Sequence, residues 1–135
     1  MGYNNRKGYS GEMEAADFFQ SIYKEDKVVR FGGQEFQKLT HSGDIGIVKV
    51  KKVGSTLLYA QRDIEDSPLH PVFIEVKNQA RPNVWQDIKK AEQDADNAGK
   101  GFTVLYVIRH EKNKKGERLV CMRPETFRYL VERGI

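Results

Sequence analysis

The sequence predicts an α/β domain, a central mixed β-sheet flanked by α-helices, on three observations. Residues 72–78, Val-Phe-Ile-Glu-Val-Lys-Asn, and 102–108, Phe-Thr-Val-Leu-Tyr-Val-Ile, are apolar runs of strand length, the second unbroken enough to be buried on both faces. Two other stretches carry helical spacing: Glu12, Ala15, Ala16, Phe19, Ile22 and Tyr23, then Val84, Ile88, Ala91, Ala95 and Ala98. Finally, 135 residues without an internal repeat, linker or low-complexity tract fit one domain over 1–135, large enough to bury a core without staples.

Taken in order, residues 1–10 are polar and basic and form an N-terminal arm ending in Ser10, a good N-cap. The helix from Gly11 to about Tyr23 carries Glu12 on its inward stripe at the first turn, whereas Glu14, Asp17 and Ser21 fall on the solvated side. Val28–Phe31 is a short strand stopped by Gly32-Gly33, and a polar loop follows over 32–43. Asp44 opens the strand Asp-Ile-Gly-Ile-Val-Lys-Val, and Gly54-Ser55 turns the chain into Thr56–Ala60. A charged, proline-containing connection then leads to Val72. In the strand that follows, alternation puts Val72, Ile74 and Val76 on one face and Phe73, Glu75 and Lys77 on the other. An acid and a base thus share a face at the far end of the strand, the end at which open α/β sheets form ligand sites.

The second helix, from Val84 to Ala98, has small residues on its stripe for close packing, with Trp85 beside it as partial core or, alternatively, a base-stacking or dimer contact, and with Glu92, Asp94 and Asp96 facing solvent, a metal role being the alternative. Gly99 and Gly101 end it. The strand 102–108, a basic turn Lys112–Gly116 and a strand Leu119–Met122 follow. Pro124 then opens a last helix containing Phe127, Leu130 and Val131. The order is α-β-β-β-α-β-β-α.

Composition narrows the function. Lys and Arg number 23 against 19 Asp and Glu, a net charge of +4, which permits a polyanionic partner. The basic groups Arg6-Lys7, Lys49/Lys51/Lys52 and Lys112/Lys114/Lys115 fall at ends and loops. The single cysteine, Cys121, excludes a disulfide framework and reads as a buried reduced thiol. Without an apolar leader or a run of about 18 apolar residues, a cytoplasmic location is expected, the host cytoplasm if the chain is phage-encoded, and no membrane partner. His41, His70 and His110 lack zinc-ligand spacing and read as solvated loop residues. Ser42 has no G-x-S-x-G setting, and the glycines lack a P-loop Gly-Lys-Ser/Thr.

Three carboxylates, Glu12, Asp44 and Glu75, arrive from a helix start and two strands, with Lys77 two residues after the last. This set resembles the PD-(D/E)xK nuclease superfamily: Gly43-Asp44 stands at its first motif, without the proline that often precedes the acid, and Glu75-Val76-Lys77 at its second. Over nearly the whole chain it is similar to the archaeal-type Holliday junction resolvases, in Arg6-Lys7-Gly8 leading to Glu12, in Val28-Val29-Arg30, in Ser42 ahead of the acid, and in Gln86 on the following helix. A longer interval between Asp44 and Glu75, spanning the 53–71 insert, and the basic turn near Lys114 depart from the pattern.

The resemblance implies a restriction-endonuclease-like αβββαβ core and a Mg²⁺-dependent endodeoxyribonuclease, with Mn²⁺ as substitute. Asp44, Glu75 and the carbonyl of Val76 would be metal ligands, and Glu12 would hold a metal-bound water or a second ion. Ser42 and Lys77 would join the catalytic set, Lys77 placing or deprotonating the water. Arg6, Lys7, Arg30, Lys112, Lys114 and Lys115 would meet phosphates, the substrate would be a four-way DNA junction, and the protein a homodimer. Hard oxygen ligands of this number suit Mg²⁺, which keeps several waters. Two other readings stay open: a nuclease of the same class acting on duplex, flap or restriction-type sites, and a non-catalytic nucleic-acid-binding subunit.

Overall fold

In the computed structural model the described residues are 3–24, 27–30, 43–48, 50–53, 56–59, 71–112 and 114–133. They form α1 (Tyr3–Ile22), β1 (Lys27–Arg30), β2 (Ile45–Val48), β3 (Val50–Val53), β4 (Thr56–Tyr59), β5 (Val72–Gln79), α2 (Val84–Asn97), β6 (Phe102–Glu111), β7 (Lys114–Met122) and α3 (Pro124–Glu132). Five strands make a mixed sheet in the order β1-β2-β5-β6-β7. The pair β5–β6 is parallel, with α2 as its crossover, and the other neighbours are antiparallel. The architecture is α/β, as the apolar strands and the two helical stripes predict.

The described elements run α-β-β-β-β-β-α-β-β-α, two strands more than expected before the second helix; without β3 and β4, the order along the main sheet is the expected α-β-β-β-α-β-β-α. Strands β3 and β4 pair antiparallel, with the expected Gly54-Ser55 turn outside the described residues, and among the described residues they pair only with each other. The segment 44–50, expected as one strand, is therefore divided between β2 in the main sheet and β3 in the hairpin.

Alternation on β5 sorts the core into two layers. Val72 and Ile74 pack with Ala15, Ala16 and Phe19 of α1 and with Leu130 of α3, whereas Phe73 packs against Ala91 and Ala95 of α2. A further cluster joins Ile88 of α2 to Leu105 and Val107. Thr103 through Ile108 are all buried, because helices cover β6 on both sides. The alanines of α2 admit a close approach to the sheet, as their spacing predicts.

Several local expectations change. Helix α1 begins at Tyr3, so residues 3–10 are helical rather than an arm and Ser10 is inside the helix. Helix formation is cooperative: once the stripe at 11–23 is docked, each added residue costs less than a new nucleus, and a capping preference is too weak to stop it. Ile22 is exposed, and Glu14 is not a solvated acid. Its carboxylate accepts hydrogen bonds from the Tyr106 hydroxyl at 2.9 Å and from Nε and Nη2 of Arg118 at 3.0 and 2.9 Å. That network pins α1 to β6 and β7. Burial, followed by the bond to Glu14, pushes the Tyr106 hydroxyl up to about 12.

Strand β7 starts at Lys114, so most of the expected basic turn is strand. Trp85 is 70% exposed rather than partial core, and of the three apolar residues on α3 only Leu130 is buried, Phe127 and Val131 being exposed. His110 lies half-buried in β6 rather than in a loop, Cys121 is only half-buried, and no described helix is long and apolar enough to cross a membrane.

Candidate active site

The site is built where β2 meets β5. These two strands share a single register pair, Ile45↔Ile74, so the edge of β5 beyond it has backbone donors that the ladder leaves unused. The residues just before β2 take them over. Gly43 bridges to Ile74 with φ of +105°, and a Cβ added there would stand 2.7 Å from the Ile74 carbonyl oxygen. Only glycine accommodates both the close approach and the dihedral. The Asp44 amide then donates to the Ile74 carbonyl oxygen at 2.8 Å, and its Oδ2 accepts from the Val76 amide at 2.8 Å. An acid at a strand entrance is often a turn residue; this one is held rigidly against the neighbouring strand.

Glu75, on the α2 face of β5, shares a hydrogen bond with Asp44. Burial raises its carboxyl pKa far above the usual range. The bond and charge of Asp44 add to this and the charge of Asp94 adds less, while Lys77 opposes them. Crowding with a second carboxylate thus favours the protonated form of Glu75 in the absence of a cation. The pair opens into a cavity of about 460 Å³ lined by Gly43, Asp44, Phe73, Glu75, Asp94, Asn97 and Ala98. Lys77 is half-buried on the same face of β5, two residues further along.

Glu12 approaches from the other side of the sheet. Arg30 Nη2 lies 3.5 Å from its Oε2, and the two side chains are 21% and 19% exposed. Burial raises the Glu12 carboxyl pKa, the charge of Asp44 adds to the shift, and the charge and hydrogen bond of Arg30 oppose it. Glu12 thus senses Asp44 without lining the cavity. Gly11, one residue earlier, lies so close to β5 that an added Cβ would stand 3.0 Å from Asn78 Cβ, and this contact fixes the height of Glu12 above the strand.

Four of the expected catalytic residues, Glu12, Asp44, Glu75 and Lys77, are thus gathered around the β2–β5 junction. Ser42, with His41 and His70, lies outside the described residues. Val76 contributes its amide to Asp44. Of the residues expected to meet phosphates, Arg6 and Lys7 fall on the first turns of α1, Arg30 pairs with Glu12, and Lys112 and Lys114 are exposed at the β6–β7 turn, with Lys115 beside them in β7. Gln86 is exposed near the start of α2, where its amide donates to Asn83 Oδ1 at 3.2 Å.

Two cavity-lining residues were not singled out from the sequence. Asp94 reads from the sequence as solvated face with Glu92 and Asp96, and Asn97 carries no sequence signal of its own. A signal was present: Asp94 stands three residues after Ala91 and four before Ala98, on the flank of the buried stripe. Glu92 pairs with Arg123, and Asp96 is exposed.

The donor set fits a divalent cation. A proton shared by two carboxylates occupies the position of a positive charge, and hard oxygen pairs of this kind bind Mg²⁺ while water and substrate oxygens complete the shell. Among the described residues no three His, Cys, Asp or Glu side chains stand close enough to form a metal cage, so such an ion would rely on those additional oxygens. No family model, curated protein or solved structure matches this chain.

Proposed function

We propose that this chain is a divalent-metal-dependent endodeoxyribonuclease of the PD-(D/E)xK class, with a restriction-endonuclease-like core, acting on four-way DNA junctions as a two-fold homodimer. The observation that carries the reading is the Asp44–Glu75 pair: two half-buried acids, one just before β2 and one on β5, are hydrogen-bonded at an open cavity, with Lys77 next on the same strand face. A surface ion pair on an edge strand would account for Glu75 and Lys77 alone. It does not account for the glycine approach, the Val76 amide and the strand junction that hold Asp44 against Glu75.

Mg²⁺, held by Asp44 and Glu75 with the Val76 carbonyl as third protein ligand, would supply an acidified water and offset charge at phosphorus. The protein's own residues do the rest. Lys77 orients the attacking water and screens charge developing on the phosphate. Glu12, steadied by Arg30, accepts a hydrogen bond from water on the far side of Asp44. Arg6, Lys7, Lys112, Lys114 and Lys115 neutralise flanking phosphates. A purely DNA-binding module gains nothing from acids aimed at a polyanion, so the acid pair favours chemistry over binding alone.

The test is incubation of the purified protein with a synthetic four-way junction, a matched duplex and a flap, each with and without Mg²⁺. Paired nicks on the junction alone, dependent on the metal, are expected. Cleavage of duplex or flap at equal rates keeps the nuclease and removes the junction, and no cleavage with Mg²⁺ or Mn²⁺ on any substrate sinks the enzymatic reading.

A further inference from the structure

The opposite edge of the sheet carries a second cavity, and its lining is of another kind. Where the start of α2, the end of β7 and the start of α3 converge lies a groove of about 550 Å³. Trp85 and Phe127 flank it with 70% and 61% of their surfaces exposed, on the order of 250 Å² between them. The apolar surface continues past the groove. Leu119 lies on the same face of β7 as Cys121 and is 56% exposed; Val131 is one helical turn beyond Phe127 and is 54% exposed. A patch of this extent exceeds what scattered surface residues produce and marks an interaction site.

From this we infer that the groove is where a second copy of the chain docks, pairing β7–α2–α3 edges about a two-fold axis. The inference deepens the dimer put forward above but stands on the surface itself. Nucleic acid is a poor occupant, because Arg123 is the only charged residue in the lining among the described residues and its charge is already met. Its Nε and Nη2 each donate to Glu92 at 2.9 Å. A phosphate-binding surface needs cations without such partners.

Self-association needs the reverse, a neutral apolar centre complementary to itself. The chain provides both halves, a recess and the protruding aromatics Trp85 and Phe127 beside it. Two copies would cover roughly 500 Å² from these two side chains alone, and Leu119, Val120 and Val131 bring the total toward the roughly 1,000 Å² of a specific interface. Among the described residues strand β7 ends the sheet, so the same docking shields its edge. The acid cavity stays free. Along α2, Asp94 is roughly 14 Å from Trp85 at about 1.5 Å per residue.

Trp85 is the only tryptophan, and its fluorescence therefore reports directly on this surface. Wild-type protein across micromolar concentrations should sediment increasingly as a dimer, while Trp85 emission shifts to the blue and resists iodide. Phe127→Asp, a change at an exposed position, should keep its far-UV spectrum, weaken dimerisation roughly 30-fold or more as hot-spot loss does, and leave Trp85 red-shifted. A wild-type monomer overturns the proposal. So does a dimer whose Trp85 remains fully quenchable, or an emission shift that requires added DNA. Junction cleavage is scored separately: a dimer that does not cut leaves this interface standing and removes the nuclease, and a cutting monomer does the opposite.

Discussion

Helix α2 connects two cavities of similar size and opposite chemistry. Near its C-terminal end, Asp94 and Asn97 complete the acid cavity with Asp44 and Glu75, and at its N-terminal end Trp85 and Val84 wall the apolar groove. Each is costly to an isolated chain, but in opposite ways. The acid cavity withdraws charge from water and answers by retaining a proton. The groove leaves aromatic surface in water, and no protonation change relieves it. On the proposed reading one end takes a cation, whose binding is tied to pH, and the other a protein surface, whose binding is tied to concentration.

The largest effects are expected at the acid end. Asp44→Asn and Glu75→Gln should each abolish cleavage while junction binding stays equal or tightens, since each removes a ligand and also repulsion of phosphate. Lys77→Ala should lower turnover about 10²–10⁴-fold. Turnover near wild type in Mg²⁺ for either acid variant would reassign the site. All three changes should leave Trp85 emission and sedimentation untouched, and a shift there would break the independence of the two ends.

Next in size is Gly43→Ala. Its Cβ would stand 2.7 Å from the Ile74 carbonyl at φ of +105°, so strain and displacement of Asp44 should cost about 2–3 kcal/mol. Chemical denaturation measures it, and unchanged stability would mean that the Gly43–Ile74 approach is not a constraint.

A third prediction follows from the raised pKa of Glu75. The folded state holds a proton there that the unfolded chain releases near pH 4.5, so this contribution is full below that pH and is lost as pH rises toward the raised value. Glu75→Gln removes the loss. Its stability relative to wild type should grow with pH above about 5, reaching on the order of 1–2 kcal/mol once partial exposure is allowed for, and Mg²⁺ should narrow the gap by replacing the proton. Parallel denaturation curves from pH 5 to 8 would show instead that Glu75 is ionised throughout.

How far the sequence announces each end depends on what holds it. Strand alternation and helical spacing are local rules, and they place Val72, Ile74, Ala91 and Ala95 correctly and put Glu75 and Lys77 on one face. Asp44 is legible as an acid, but its contact with Glu75 is not, because it depends on a β2–β5 ladder that stops after one pair. Asp94 is hidden by its position on the flank of a stripe, where helical phase alone does not separate cavity from solvent. Trp85 is misplaced, and the exposure of Phe127 and Val131 goes unannounced, for a related reason. Apolar spacing shows that a face is to be buried but not whether this chain does the burying, and at the β7 edge it does not.

The smallest expected effect separates the two carboxylates of α1, and it returns to the same distinction between charge held for chemistry and charge held for structure. Glu12 is within reach of Arg30 and senses Asp44, whereas Glu14, half a turn on, is held by Tyr106 and Arg118. Both are half-buried, so burial does not tell them apart, but their partners do. Among the described residues Glu14 is held by donors from both β6 and β7, which makes it a fastener, whereas Glu12 meets Arg30 at a long 3.5 Å. Glu14→Gln should lower the melting temperature by a few degrees, since a neutral amide weakens the charge-assisted bonds to Arg118, and should leave turnover unchanged at temperatures where the protein is folded. Glu12→Gln should do the reverse, slowing turnover in Mg²⁺ with little change in melting. Measuring melting and single-turnover rate on both variants decides it: equal rate losses would place Glu12 among the fasteners and reduce the site to Asp44, Glu75 and Lys77.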